Sequence, residues 1–146
     1  MRAALALVAF PLLFGCQPPE AAQASLSACA AALVAIDDVV APAYAADHAE
    51  ALEESSTREE YDSQMQAWNR IEDSMRITRQ ALLSAQDALD AWKASATEAT
   101  FRASLPALVG ALRGLLDLLM VARVDVPEEL HEAISLVSAF LEADDE

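Results

Sequence analysis

Few side chains in this sequence are spaced for chemistry, and each has a plainer structural explanation. Glu128-x-x-His131 puts a carboxylate and an imidazole three residues apart, on one face of a helix. Carboxylate-bridged di-metal bundles use that spacing, but they need a second such pair and bridging glutamates. His48 follows Asp47 and has no acid three residues upstream, so the second pair is missing. Glu128 is sufficiently explained as an acid in the first turn of a helix. Met65, Met75 and Met120 with two histidines raise the question of haem or copper, yet there is no C-x-x-C-H and Met75 lies on a regular heptad stripe. Trp68 and Trp92 read as core or interface. Asp37 and Asp38 are adjacent, so on a helix they point about 100° apart and cannot work as an acid/base pair. A fold back at Ser55-Ser56 brings them near Arg70 and Arg76, which predicts a cross-helix ion pair worth under ~1 kcal/mol at the surface. No Ser-His-Asp, Cys-His, Gly-rich phosphate loop or G-x-S-x-G pattern is present. The residues predict a protein that is not an enzyme and holds no metal and no cofactor.

The two cysteines have different settings. Cys29, in Ser27-Ala28-Cys29-Ala30, reads as a small buried hydrophobe on a helix face, with pairing between chains as the alternative. Cys16 follows the short positive start Met1-Arg2 and an apolar run over 3–14 that is too short to span a bilayer. Leu13-Phe14-Gly15-Cys16 resembles the lipobox of bacterial lipoproteins, a resemblance confined to the first sixteen residues. It implies removal of the signal peptide 1–15, diacylglycerol on the Cys16 sulfur and an acyl chain on its new amino group. Several chains exceed what stable anchoring needs, at ~0.8 kcal/mol per buried CH₂. Ordinary signal cleavage after Ala22-Gln23-Ala24 is the competing reading. Gln17 in the position after the cysteine implies delivery to the outer membrane, with the domain facing the periplasm. Residues 16–22, with Pro18-Pro19, read as an extended tether, and 23–146 as one domain.

Charge narrows the partners. The chain carries a formal −15, which loss of Arg2 with the signal peptide would deepen by one. Such a field repels phosphate backbones and anionic headgroups, so no nucleic acid is expected, and the membrane is reached through lipid on Cys16.

Composition favours helix over sheet: 55% of residues are hydrophobic but only 5% aromatic, and there are three glycines. A first helix is expected over 22–53, with Leu26, Cys29, Leu33, Ile36, Val40 and Ala43 as its apolar stripe, kinked or broken near 39–42 by Pro42. Thr57-x-x-Glu60 is a capping box that opens a second helix over 57–94. Its heptad stripe runs Tyr61, Trp68, Met75, Leu82, Leu89, with Ile71, Thr78, Ala85 and Trp92 as companions, and Arg58–Asp62 and Glu72–Arg76 form i,i+4 pairs. A third helix starts either at Thr97, with Glu98 and Arg102 paired and a bend at Pro106, or at a Ser104 cap, and ends at Arg123. Its body, from Leu105 to Met120, is so apolar that it belongs in the middle of a bundle, and Arg113 with Asp117 argues against a membrane span. Gly110-x-x-x-Gly114 would permit a close backbone approach. Asp125 caps the last helix, which reaches 141 with Val126, Leu130, Ile134, Val137 and Leu141 inward.

Short connections predict an all-α, up-down antiparallel bundle of four helices, the second long and heptad-patterned. The alanine-rich stretch from Trp68 to Trp92 resembles small lipoproteins of phages and prophages, which implies an envelope role during infection or lysogeny. The expected function is that of a non-catalytic, membrane-anchored periplasmic lipoprotein acting through helix-mediated protein contacts. The alternative is a bundle that takes a lipid or other hydrophobic ligand between its second and third helices. Homodimerisation through the heptad stripe, or through Gly110 and Gly114, also stays open.

Overall fold

A computed structural model describes residues 19–95 and 98–143. Four helices follow one another: α1 (Pro19–Glu54), α2 (Arg58–Ser95), α3 (Glu98–Val121) and α4 (Glu128–Glu142). Sequential helices are neighbours, α1 also packs on α4, and neither α1 and α3 nor α2 and α4 meet across the middle. The architecture is the expected all-α, up-down bundle, with no strand among the described residues. The signal peptide, Leu13, Phe14, Gly15 and Cys16 lie outside the described residues.

The predicted stripes form the core. Leu26, Cys29 and Ile36 of α1, Ile71, Ala85 and Leu89 of α2, and Leu130 and Val137 of α4 are at most 1% exposed. Burying each large aliphatic side chain contributes about 1.5–3 kcal/mol. Thr78, also fully buried, satisfies its hydroxyl by donating to the Ser74 carbonyl at 2.7 Å. Cys29 is buried and free, and burial pushes its thiol pKa up to about 12, so it behaves as an inert hydrophobe.

Several boundaries differ from expectation, each for a local reason. α1 is already helical at Pro19, inside the stretch read as tether, and a proline is tolerated in a first turn. It also runs unbroken through Pro42, whose ring faces solvent. The proline leaves only the Asp38 carbonyl without a backbone donor, and Asp38 is exposed to water. α3 starts early, at Glu98, and Ser104 does not cap it: its hydroxyl donates to the Phe101 carbonyl at 2.6 Å. Thr97 lies outside the described residues. The helix ends at Val121 in a Schellman turn, with Val124 N–H donating to the Leu119 carbonyl and Arg123 N–H to that of Met120. Arg123 takes the left-handed conformation (φ 56°) that glycine usually supplies. Asp125 does not cap α4; Pro127 occupies that position with no side-chain hydrogen bond, and Glu128 begins the helix.

α3 occupies a corner of the bundle and not its middle. Leu105, Leu108, Leu112, Leu115 and Leu119 fill its inner face at 0–1% exposure, while Pro106, Gly110, Arg113, Gly114, Asp117 and Met120 face outward. By length and composition alone, α1 and α3 could each cross a membrane, a property shared by core helices of soluble bundles. The Gly110/Gly114 pair makes no close approach: a Cβ built at either position meets nothing within 4 Å.

At the α1–α2 connection the capping box forms as expected. Glu60 N–H donates to Thr57 Oγ1 at 3.2 Å, and the Glu60 carboxylate accepts from Thr57 N–H and from both the N–H and the hydroxyl of Ser56. These bonds, that of the Ser56 hydroxyl foremost, hold the Glu60 pKa below its usual value.

Two predictions follow from these termini and faces. Gly110→Ala and Gly114→Ala should each raise the unfolding free energy by about 0.5–1 kcal/mol in urea titration; a loss would mean that a helix packs against the glycines. Because the folded Glu60 pKa is lowered, its contribution is present above the ordinary glutamate pKa of 4.5 and fades as pH falls through the folded value. Glu60→Ala should therefore lower the melting temperature at neutral pH, and the gap to the unaltered protein should close in acid.

Candidate functional site

Helix lengths decide where a site can exist. α2 has 38 residues and α3 has 24, and α3 runs back along α2 from its carboxyl end. About the first fourteen residues of α2 (38 − 24) therefore have no α3 beside them. α4, with 15 residues, is shorter still, and its backbone makes no close approach to that of α2. Past the ends of the short helices, α1 and α2 continue as a bare antiparallel pair.

An open groove of about 480 Å³ lies between α1 and α2 where this stretch begins, and on α2 it extends back from Trp68 to Arg79, beside the end of α3. α1 contributes Asp37, Val40, Ala41 and Tyr44, and α2 contributes Trp68, Ile71, Glu72, Met75 and Arg79. The floor is apolar because Trp68, Ile71 and Met75 recur at three- and four-residue spacing, so they share one face of α2. The helix is held against α1 at both ends of the groove. At one end Arg79 donates to both oxygens of Asp37 (2.9 and 2.8 Å). At the other the Trp68 indole N–H donates to Asp47 at 2.8 Å.

Aromatic rings extend that second clamp. Tyr44 meets the Trp68 ring edge-on at 5.9 Å and stacks on His48 at 5.6 Å. His48 Nδ1 shares a 2.7 Å hydrogen bond with the Tyr61 hydroxyl. Trp68 and Met75 are nearly buried, whereas Tyr44 is 41% exposed and offers a ring to solvent.

The residues singled out by chemistry are dispersed. Glu128 and His131 lie exposed at the start of α4, and His48 is engaged on α1. Among the described residues, no group of three or more His, Cys, Asp or Glu side chains is placed to hold a metal ion. Asp37 does make a cross-helix ion pair, but with Arg79 in place of Arg70 or Arg76; Arg76 pairs with Asp73 and not with Glu72. Arg58–Asp62 and Glu98–Arg102 form as expected. The heptad stripe of α2 is largely buried inside the bundle, and Met65 and Met75 pack there too, while Met120 is 62% exposed. The α2–α3 seam is filled by leucines, so the groove falls between α1 and α2.

Tyr44 and Arg79 carry no motif, and only the antiparallel register brings them to the groove, with His48 stacked on Tyr44 beside it. One signal for them existed: Tyr44 and His48 are four apart, Tyr61 and Trp68 seven apart, and a turn at Ser55-Ser56 lays the two pairs side by side. The chain matches no protein-family model, no curated protein and no solved structure.

The clamp at Asp47 can be measured. Asp47→Ala leaves a nearly buried indole N–H without its charged acceptor and should cost about 1.5–3 kcal/mol in urea titration. Asp47→Asn, which keeps a carbonyl oxygen there, should cost clearly less.

Proposed function

We propose that this protein is a non-catalytic lipoprotein, lipidated at Cys16 and held at the outer membrane with its bundle in the periplasm, that acts by offering a helical surface to another envelope protein. The observation that supports this most is the open groove between α1 and α2, where the Tyr44 ring is 41% exposed. An open groove between two helices is a surface that recognition by helix packing can use. The groove also stands well away from the anchor. Cys16 precedes Pro19 by three residues, and Tyr44 lies about 38 Å further along α1 at ~1.5 Å per residue. The formal charge of −15 accords with the same reading, since such a surface gains nothing from nucleic acid or anionic lipid.

A hydrophobic ligand is the second reading, moved from the α2–α3 seam to the groove. Its volume of about 480 Å³ falls within the range of small-molecule sites, ~300–1,000 Å³. Those sites enclose most of the ligand, however, whereas this groove has two walls and an exposed Tyr44. That geometry suits a helix laid along it better.

The anchor is tested by growing cells with an alkyne fatty acid. The protein should take up the label, and Cys16→Ala should not. Label that persists in the variant would overturn the assignment of Cys16.

A further inference from the structure

We infer that the two-helix end, residues 43–71, opens as a separate unit on a four-helix end that stays folded, with Pro42 as its hinge. Met65 and Trp68 then form a surface shown only in the open state. This goes beyond helix-mediated binding and does not depend on lipid at Cys16.

Contacts across the seams fix the level at which four helices become two. Trp92 stacks on Phe101, so Val121, twenty residues on from Phe101, lies level with Glu72, twenty back from Trp92. Asp37 meets Arg79 and Asp47 meets Trp68, which sets Glu72 opposite Ala43 and Tyr44 of α1. Glu72 and Tyr44 accordingly line the same groove. Pro42 therefore stands where α3 gives out.

The two sides of that level are held differently. No large side chain between residues 43 and 70 is under 2% exposed, whereas Leu26, Ile36, Leu89, Phe101, Leu112 and Leu119 on the other side all are. Cover at the two-helix end comes from Ala51, Met65 and Trp68, with two polar links, Trp68 to Asp47 and Tyr61 to His48. Charge works against these links. Residues 43–54 carry four carboxylates and no lysine or arginine, and 58–71 carry three carboxylates against Arg58 and Arg70, so both arms are net negative. Cover spread this unevenly divides a protein into units that open separately.

Pro42 sets where the opening stops. Its nitrogen has no hydrogen to give the Asp38 carbonyl, so α1 is already one ladder bond short there. The residue before a proline also disfavours helix, so a helix without lateral support ends readily just ahead of one. In the closed form, packing on both sides carries α1 across the proline. In the open form residues 43–54 lose that packing, and a run of about twelve residues is marginal as a helix in water. The weak point of the ladder and the end of the cover coincide.

The test is native-state hydrogen exchange, read residue by residue by NMR, on chain 16–146 as Cys16→Ala, which contains every described residue. Amides of 46–54 and 62–70 should share one protection level, about a hundredfold or more below that of 105–119, with the step along α1 at Pro42. Val109→Ala, in the core of the four-helix end, should lower protection of 105–119 about tenfold and leave both arms unchanged. Pro42→Ala supplies the missing donor at an outward position. It should raise protection of the arms about tenfold and carry the step past residue 42 toward the Ser55–Thr57 turn.

Equal protection at the two ends, or arms that lose protection with Val109→Ala, would overturn the separate unit. Protection that declines steadily toward the turn would show simple fraying and overturn it too. A step away from Pro42, or one that Pro42→Ala leaves in place, would overturn the hinge.

Discussion

Each of these helices has an apolar stripe to hide, and the number of helices available to hide it changes along the long axis. Over the α3 and α4 region the requirement is met from four sides. The leucines of α3 at positions 105, 108, 112, 115 and 119 vanish between α2 and α4, and α1 closes the ring by packing on α4. Beyond Val121 the supply stops. α1 and α2 keep running with only each other, and two cylinders in contact bury one line of side chains and no more. Ala51, Met65 and Trp68 still find cover there, while Tyr44 and Leu52 do not. The groove opens where that cover thins, at the ends of the two short helices.

The two ends of the bundle treat aromatic residues differently for the same reason. At the four-helix end Trp92 stacks on Phe101, which meets Phe140 edge-on. Arg102 covers the Phe140 ring at 5.1 Å and donates to the Phe140 carbonyl at 2.6 Å, so one guanidinium closes the α4 terminus. At the two-helix end Tyr44, His48, Tyr61 and Trp68 have similar rings but fewer neighbours. There they depend on polar tips, the indole on Asp47 and the phenol on His48, to hold the pair in register. Among the described residues no buried side-chain nitrogen or oxygen lacks a partner.

What the sequence made legible was whatever repeats locally. Three- and four-residue spacing exposed the inner faces of all four helices, and Thr57 with Glu60 announced the start of α2. Local rules misled where long-range packing outweighed them. Pro42 read as a break, yet the helix on both sides is held, by Leu33 and Ile36 before it and Ala51 after it. Asp125 read as a cap, but the helix begins one residue after Pro127. Gly110 and Gly114 read as a close approach, although they lie on the outer face of α3. The groove itself was not legible, because it depends on a difference in helix length and on a register that pairs Asp37 with Arg79, forty-two residues away. Tyr44 and His48 look like ordinary members of an alanine-rich helix until Tyr61 and Trp68 are laid opposite.

An even number of antiparallel helices returns the chain to the level where it started. Pro19 and Ala143 therefore emerge at the same end of the bundle, and the turn at Ser55 to Thr57 is at the other. The two ends are not interchangeable as places to attach anything. A tag or fluorophore following Ala143 would sit beside the start of α1 at Pro19. Extra residues spliced into the Ser55–Thr57 turn would stand at the opposite end. The parity of the helix count thus hands the molecule one base and one crown.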